Sequence, residues 1–484
     1  MHSTPGTRLQ ALLTSHDSRR VVMLAVPIIL ANIAVPLVGI VDTAVMGRMA
    51  EPRYIAAVAI GAIVFSSVFW IFAFLKMGTG GLVAQALGSA SDTSSKEDID
   101  CTVLRALGIA ATIGVLLILL RQPMGQLTML AFDINDQVKE LALEYYDIRI
   151  LAAPATLMIY CILGAFIGLQ KMRSVLMLQL ILNVGNIVLT ILFFSYFKGG
   201  IAGVALASVI AEYLSLVYGL SKLQQINPLW PLAVSPGRVF NAEALRRLFV
   251  INTNLFIRTL CLTFSFYWLT RSSGQLGELT LAANSILIHL VHFSSHALDG
   301  FAHAAETLCG NAYGKARARL NVLRNNTDES LSTVAVAPAM EFHQAVLLST
   351  FWGCLFALLF VVLYLLFGQW IINMMTTQTA VREHAGIWLW WIVISPLVGV
   401  AGFILDGIYI GVTHTRDMRN AMIQSAIIFL AANLDLVKLF GNHGLWMSYM
   451  VLMIVRALTL LRTYPRIINA MNINALNINA TNPR

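Results

Sequence analysis

Charge is what this sequence has least of. Asp, Glu, Lys and Arg make up 12% of the 484 residues, against about 25% in soluble domains. Apolar residues fill 58%, so a water-facing surface cannot be assembled, which excludes an ordinary soluble enzyme. Cysteine is scarce too. Cys101, Cys161, Cys261, Cys309 and Cys354 lie far apart with no CxxC pair, which leaves no zinc knuckle or redox dithiol and makes them packing residues. No polar stretch is long enough for a nucleotide-binding domain and no GxxxxGK[ST] occurs, so this chain alone does not run on ATP. The net charge of +8 comes without a basic stretch interleaved with aromatics, which argues against a nucleic-acid partner. The first apolar run continues past Asp42 with no small-residue cleavage site, and it reads as a retained helix.

What the sequence has is apolar length. Leu104 to Leu120, Val175 to Phe194, Phe351 to Phe367 and Ala421 to Ala432 approach or reach the ~20 apolar residues that cross a bilayer as helix. Apolar runs set against Gly, Pro and charge breaks predict an all-α polytopic membrane protein of twelve spans: 18–46, 54–88, 99–121, 136–168, 173–197, 200–221, 243–270, 279–313, 342–373, 380–411, 417–438 and 442–463. Twelve crossings put both termini on one side, and the loops on that side hold more than twice the Lys and Arg of the other. Both termini are therefore expected in the cytoplasm.

The halves repeat. Arg19-Arg20 recurs as Arg246-Arg247, Ala56-Ala57 as Ala282-Ala283, and Ala86 with Gly88 as Ala312 with Gly314, at offsets of 226 or 227. Further on the offset becomes 241 to 243: Pro154 and Pro396, Gly168 and Gly411, Arg173 and Arg416, Gly200 and Gly441, Gly203 and Gly444. The expected organisation is a cytoplasmic segment over 1–17, an N-lobe over 18–221, a linker over 222–242, a C-lobe over 243–463 with a flexible cytoplasmic loop at about 315–341, and a disordered tail over 464–484. Six crossings per half make the two copies parallel, related by an axis along the membrane normal.

Polar residues inside the spans are the candidate functional groups. Asp42 lies near the end of the first span, facing either a wet cavity or the headgroups. Asn183, Asn186 and Thr190 share one face of the fifth, and Ser208 and Glu212 one face of the sixth. They line a cavity or serve as interhelical glue. The eighth span carries His289, His292, His296, Asp299, His303 and Glu306 at spacings of 3 and 4, an ionisable stripe within an arc of about 100°. It fits a proton relay or ion face, a metal site, or a face satisfied by neighbouring helices. No HExxH is present to support a zinc enzyme. Asn254 and Arg258 on the seventh span and Asp406 on the tenth complete the set, with Asp299, Glu306 or Asp406 the expected partner of Arg258. Pro27, Pro36, Pro154 and Pro396 interrupt predicted helices, Pro27 being the candidate hinge.

Pro27 with Val41-Asp42-Thr43-Ala44-Val45-Met46-Gly47, the run Gly80 to Gly88, Ala297 to Glu306, and Leu405 to Thr413 resemble the multidrug and toxic compound extrusion (MATE) family, in its DNA-damage-inducible F branch. The resemblance covers 18–463. It implies a V-shaped pair of six-helix lobes that alternate between outward and inward states and export organic cations or amphipathic toxins, driven by protons or sodium. Asp42 matches the family's helix-1 aspartate, Pro27 its bendable proline, Asn186 its helix-5 asparagine and Ser208 its helix-6 hydroxyl. Thr190 stands where many relatives have a second aspartate, and Asn254 and Arg258 occupy the span that carries a glutamate in sodium-coupled relatives.

The expectation is a monomeric, proton-coupled antiporter of the bacterial inner membrane, not an enzyme. It needs no cofactor, its partners are amphipathic small molecules and the bilayer, and protonation of Asp42 drives alternating access. Coupling carried by Asp299, Glu306 and the histidines is the rival. A lipid-linked precursor flippase and an intramembrane metalloenzyme are the readings from other classes.

Overall fold

The computed structural model describes residues 16–46, 52–89, 93–129, 135–196, 200–226, 234–325 and 336–480, with side chains at 33–44, 46, 52, 55, 66–67, 93–95, 320–325, 336–337 and 472–480 outside the description. Among the described residues there is no strand. The helices are α1 (His16–Met46), α2 (Pro52–Ile71), α3 (Phe74–Ser89), α4 (Thr93–Leu119), α5 (Arg121–Met129), α6 (Asp136–Arg149), α7 (Ala153–Gly168), α8 (Met172–Ser195), α9 (Gly200–Ile226), α10 (Pro236–Val239), α11 (Ala242–Gln275), α12 (Glu278–Asn325), α13 (Val336–Met375), α14 (Thr379–Gly411), α15 (Thr415–Phe440) and α16 (Asn442–Ala480). Ten stretches among the described residues are long and apolar enough to cross a membrane. α12 is not one of them although it has 48 residues, because its ionisable stripe lowers its hydropathy. On α13, Leu355, Leu358, Leu359, Val362, Leu365 and Leu366 are exposed, a continuous apolar surface that suits hydrocarbon and not water.

Four local features depart from the sequence expectation. The second span is two helices, α2 and α3, joined by a turn at 72–73. The fourth is broken by a 3-10 turn at Ile150–Ala152, just where Pro154 cannot donate to a continuous ladder, whereas Pro396 sits inside an unbroken α14. The loop expected at 315–341 is largely helix: α12 runs to Asn325 and α13 begins at Val336. The sequence from Lys315 to Asn325 contains no Gly or Pro to stop it, and Lys315 Nζ bonds Glu341 Oε2 at 2.6 Å. The stretch expected to be disordered after 463 continues as α16, with Ile467 and Met471 buried one turn apart.

The chain divides into two compact units. The N-terminal unit is Leu30–Val83 with Asp92–Asn252, and the C-terminal unit is Met1–Ile29, Ala84–Ser91 and Thr253–Arg484. The first turns of α1 belong to the second unit for visible reasons. Trp352 Nε1 donates to Ser18 Oγ at 2.9 Å, and Gly300 lets α12 close on Ala25 and Ile29. The end of α3 joins the same unit through Gly310 against Ala84, and through Gln85 Nε2 donating to Gly411 O at 2.9 Å and Thr413 Oγ1 at 3.0 Å.

Each unit is built by the same local rules. In the N-terminal unit α7 crosses α3 at Gly164, where any side chain would strike Lys76 O; in the C-terminal unit α14 crosses α12 at Gly407, where it would strike Ala302 O. α7 ends with Gln170 at φ 60 and α14 with Thr413 at φ 56. Lys171 N bonds Phe166 O and His414 N bonds Tyr409 O, at 2.8 and 3.0 Å, the six-to-one closure of a helix end by a left-handed residue. Gly200 at φ 54 opens α9 and Gly441 at φ 55 precedes α16. These pairs fall on the two offsets read from the sequence.

Candidate functional site

The N-terminal unit holds a buried polar row on the α8–α9 hairpin. Asn183, Asn186 and Thr190 of α8 and Ser208 and Glu212 of α9 are all buried, because spacings of three and four put them on the inner faces. Asn186 Nδ2 donates to Ser208 Oγ at 2.6 Å. Asn186 Oδ1 and Asn183 Nδ2 are buried with no partner among the described residues. In hydrocarbon an unmet polar atom costs several kcal/mol. α1 is helical through Asp42, but the Asp42 side chain lies outside the described residues. Pro27 lies inside α1.

Glu212 is held elsewhere. Its Oε1 pairs with Arg149 Nη2 at 2.5 Å, and its Oε2 accepts from Thr156 Oγ1. Arg149, the last residue of α6, lays its guanidinium over the Phe65 ring at 4.1 Å. Glu212 is thus neutralised within the α6–α7–α9 corner, and neither Arg149 nor Thr156 was singled out by the sequence reading.

In the C-terminal unit Arg258 of α11 finds its partner in Asp406 of α14, and not in Asp299 or Glu306. Asp406 Oδ2 also accepts from Arg456 of α16. All three side chains are buried. Arg456 was missed, although an arginine in the apolar run Met453-Ile454-Val455-Arg456-Ala457-Leu458 satisfies the rule that drew attention to Arg258. Asn254, one turn before Arg258, donates to Thr415 Oγ1 at 3.2 Å and accepts from Arg419 Nη1 at 3.0 Å.

The stripe on α12 is graded. His289 is exposed, His292, His296 and Asp299 are half-buried, and His303 and Glu306 are buried. His303 Nδ1 and Glu306 Oε2 are 2.7 Å apart, while the His292 and His296 ring centroids are 6.5 Å apart and His292 packs on Phe266 at 4.8 Å. Among the described residues no three His, Cys, Asp or Glu side chains cluster as metal ligands. Other buried amides tie helices together: Asn433 accepts from Trp268 at 3.0 Å and Ser272 at 2.8 Å, and Asn284 donates to Asn442 at 2.7 Å.

Comparison with known proteins agrees with this architecture. A family model described as MatE matches residues 27–192. The chain is 36% identical to DNA damage-inducible protein F of Escherichia coli over 94% of both chains. It is 25% identical to Protein DETOXIFICATION 44, chloroplastic, of Arabidopsis thaliana over 90% of this chain and 80% of that one. The crystal structure of MATE in the bent conformation superposes with a TM-score of 0.80 at 17% identity, over 98% of this chain and all of that one. A membrane-embedded helical repeat with buried charge in both units, and this degree of likeness over nearly the whole length, place the chain in the MATE family of transporters, in the branch of DNA damage-inducible protein F.

Proposed function

We propose that the protein is a proton-coupled antiporter that exports amphipathic organic cations, with Asp42 as the coupling group and Pro27 as the point where α1 bends. The observation that carries this reading is the polar row of the N-terminal unit. Asn186 Oδ1 is a buried acceptor without a partner among the described residues, held in place by the Asn186 to Ser208 bond. An acceptor fixed in an apolar surround suits a cation or a proton carried by a carboxyl group. Coupling follows when proton and substrate favour different conformational states of one site. Both termini lie in the cytoplasm, the chain works as a monomer, and a bacterial host would carry it in the inner membrane.

Sodium is the weaker choice on electrostatic grounds. The α11 position that would receive it is occupied by Arg258, bonded to Asp406, and the oxygen of Asn254 already accepts from Arg419. A second reading places coupling at His303 and Glu306, and the wholly buried carboxylate against an imidazole supports it. Proteoliposomes carrying imposed proton and sodium gradients, varied independently, test the choice. Export of a lipophilic cation should follow the proton gradient alone, and export driven by sodium at equal pH would overturn the proposal.

A further inference from the structure

We infer that the C-terminal unit holds an anion site, formed by Arg258 and Arg456 around Asp406, which takes the carboxylate of an aromatic amphipathic molecule. This goes beyond cation export and does not depend on which group carries the proton.

Each uncompensated charge inside a membrane protein is costly. Here two buried guanidinium groups share a single carboxylate oxygen, Asp406 Oδ2, so that among the described residues the group carries one positive charge in excess. Arg258 Nε and Arg456 Nε are buried and have no partner among the described residues. Asp299 is the next carboxylate within electrostatic reach of Arg258. It is half-buried and belongs to no ion pair among the described residues, so it does not close the charge balance by contact.

The arginines are seated, not loose. Arg456 runs alongside Gly402, its Nε 3.8 Å from where a Cβ would stand, and its guanidinium lies 5.4 Å from the centroid of Phe403. Gly402, Phe403 and Asp406 share one face of α14, so that helix supplies the space, the aromatic platform and the counter-charge together. Phe266 packs at 6.0 Å from Tyr449, which stands on the same face of α16 as Arg456, two turns before it. Planar guanidinium groups with spare N–H donors match a carboxylate, and the rings suit an aromatic body attached to it.

Titration of the purified full-length protein in neutral detergent with 2-naphthoate, and with neutral 2-naphthamide as its uncharged counterpart, tests the site at equilibrium without any gradient. The acid should bind at least ~10-fold more tightly than the amide. Arg456→Gln, which leaves a neutral Arg258–Asp406 pair, should erase that preference. Asp406→Ala leaves both guanidinium groups without their carboxylate, so naphthoate should raise its melting temperature by more than it raises that of the unaltered protein. This second variant decides the matter if Arg456→Gln fails to fold. Equal affinity for acid and amide, or no naphthoate stabilisation of Asp406→Ala, would overturn the inference. So would displacement of naphthoate by phosphatidylglycerol added to the micelles, which would assign the site to a lipid headgroup.

Discussion

At the residue scale the buried arginines organise the polar interior. Arg149 is held by Glu212 and by the face of Phe65, and Thr156 completes the carboxylate. Removing one member leaves the other charged and unpaired in a low-dielectric surround. Glu212→Gln should therefore destabilise the protein by about 3–5 kcal/mol, read as a fall in melting temperature in detergent. Replacing both, Arg149→Met with Glu212→Leu, should recover most of that loss, and a double variant no more stable than the single one would show that the pair does more than satisfy itself. The candidate residues on α8, α9, α11 and α14 were legible because a polar side chain in an apolar run stands out. Asp406 stood among the expected partners of Arg258 and is the one it meets, but the other partners were not legible, since three-dimensional neighbours such as Arg149 and Glu212, or Arg258 and Arg456, are far apart in sequence, and the charge of Asp406 can be shared by more than one cation. The Glu212 carboxylate, available to a cavity when read from sequence alone, is taken by Arg149.

At the element scale the repeat offsets predict geometry as well as sequence. Gln170 and Thr413 occupy the same left-handed position at the ends of α7 and α14, where a side chain costs about 1–2 kcal/mol. Gln170→Gly should raise the melting temperature, with a net gain of up to about 1 kcal/mol after the extra freedom glycine gives the unfolded chain. Thr413→Gly should gain less or lose stability, because its hydroxyl accepts from Gln85 Nε2 at 3.0 Å. Equal gains at both positions would deny that bond a role. The crossings make a sharper demand: Gly164→Val and Gly407→Val should each push apart a helix pair and lower the yield of folded protein, since the obstacle is backbone oxygen and cannot rotate away. Apolar length gave the helices, yet the breaks at 72–73 and 150–152 were not visible from it, because hydropathy does not register a turn whose residues are themselves apolar. The extension of α12 to Asn325 was missed for the opposite reason: polarity was read as loop, although a polar helix beyond the bilayer obeys the same backbone rules.

At the scale of the whole molecule two units of common design carry unlike chemistry. The N-terminal unit presents buried amide and hydroxyl groups, with an acceptor at Asn186 that has no partner among the described residues, and the C-terminal unit presents two arginines to one aspartate together with the His303–Glu306 pair. A transporter of this family needs only one coupling group if its protonation changes which state the substrate favours, and Asp42 is the carboxylate that the first span supplies. The most direct measurement is export of a lipophilic cation from proteoliposomes under an imposed pH gradient, made with Asp42→Asn, with Glu306→Gln and with the unaltered protein side by side. Asp42→Asn should abolish pH-driven export while Glu306→Gln retains its pH dependence. Undiminished coupled export by Asp42→Asn, with loss of pH dependence in Glu306→Gln, would contradict the central claim and move the coupling group to α12.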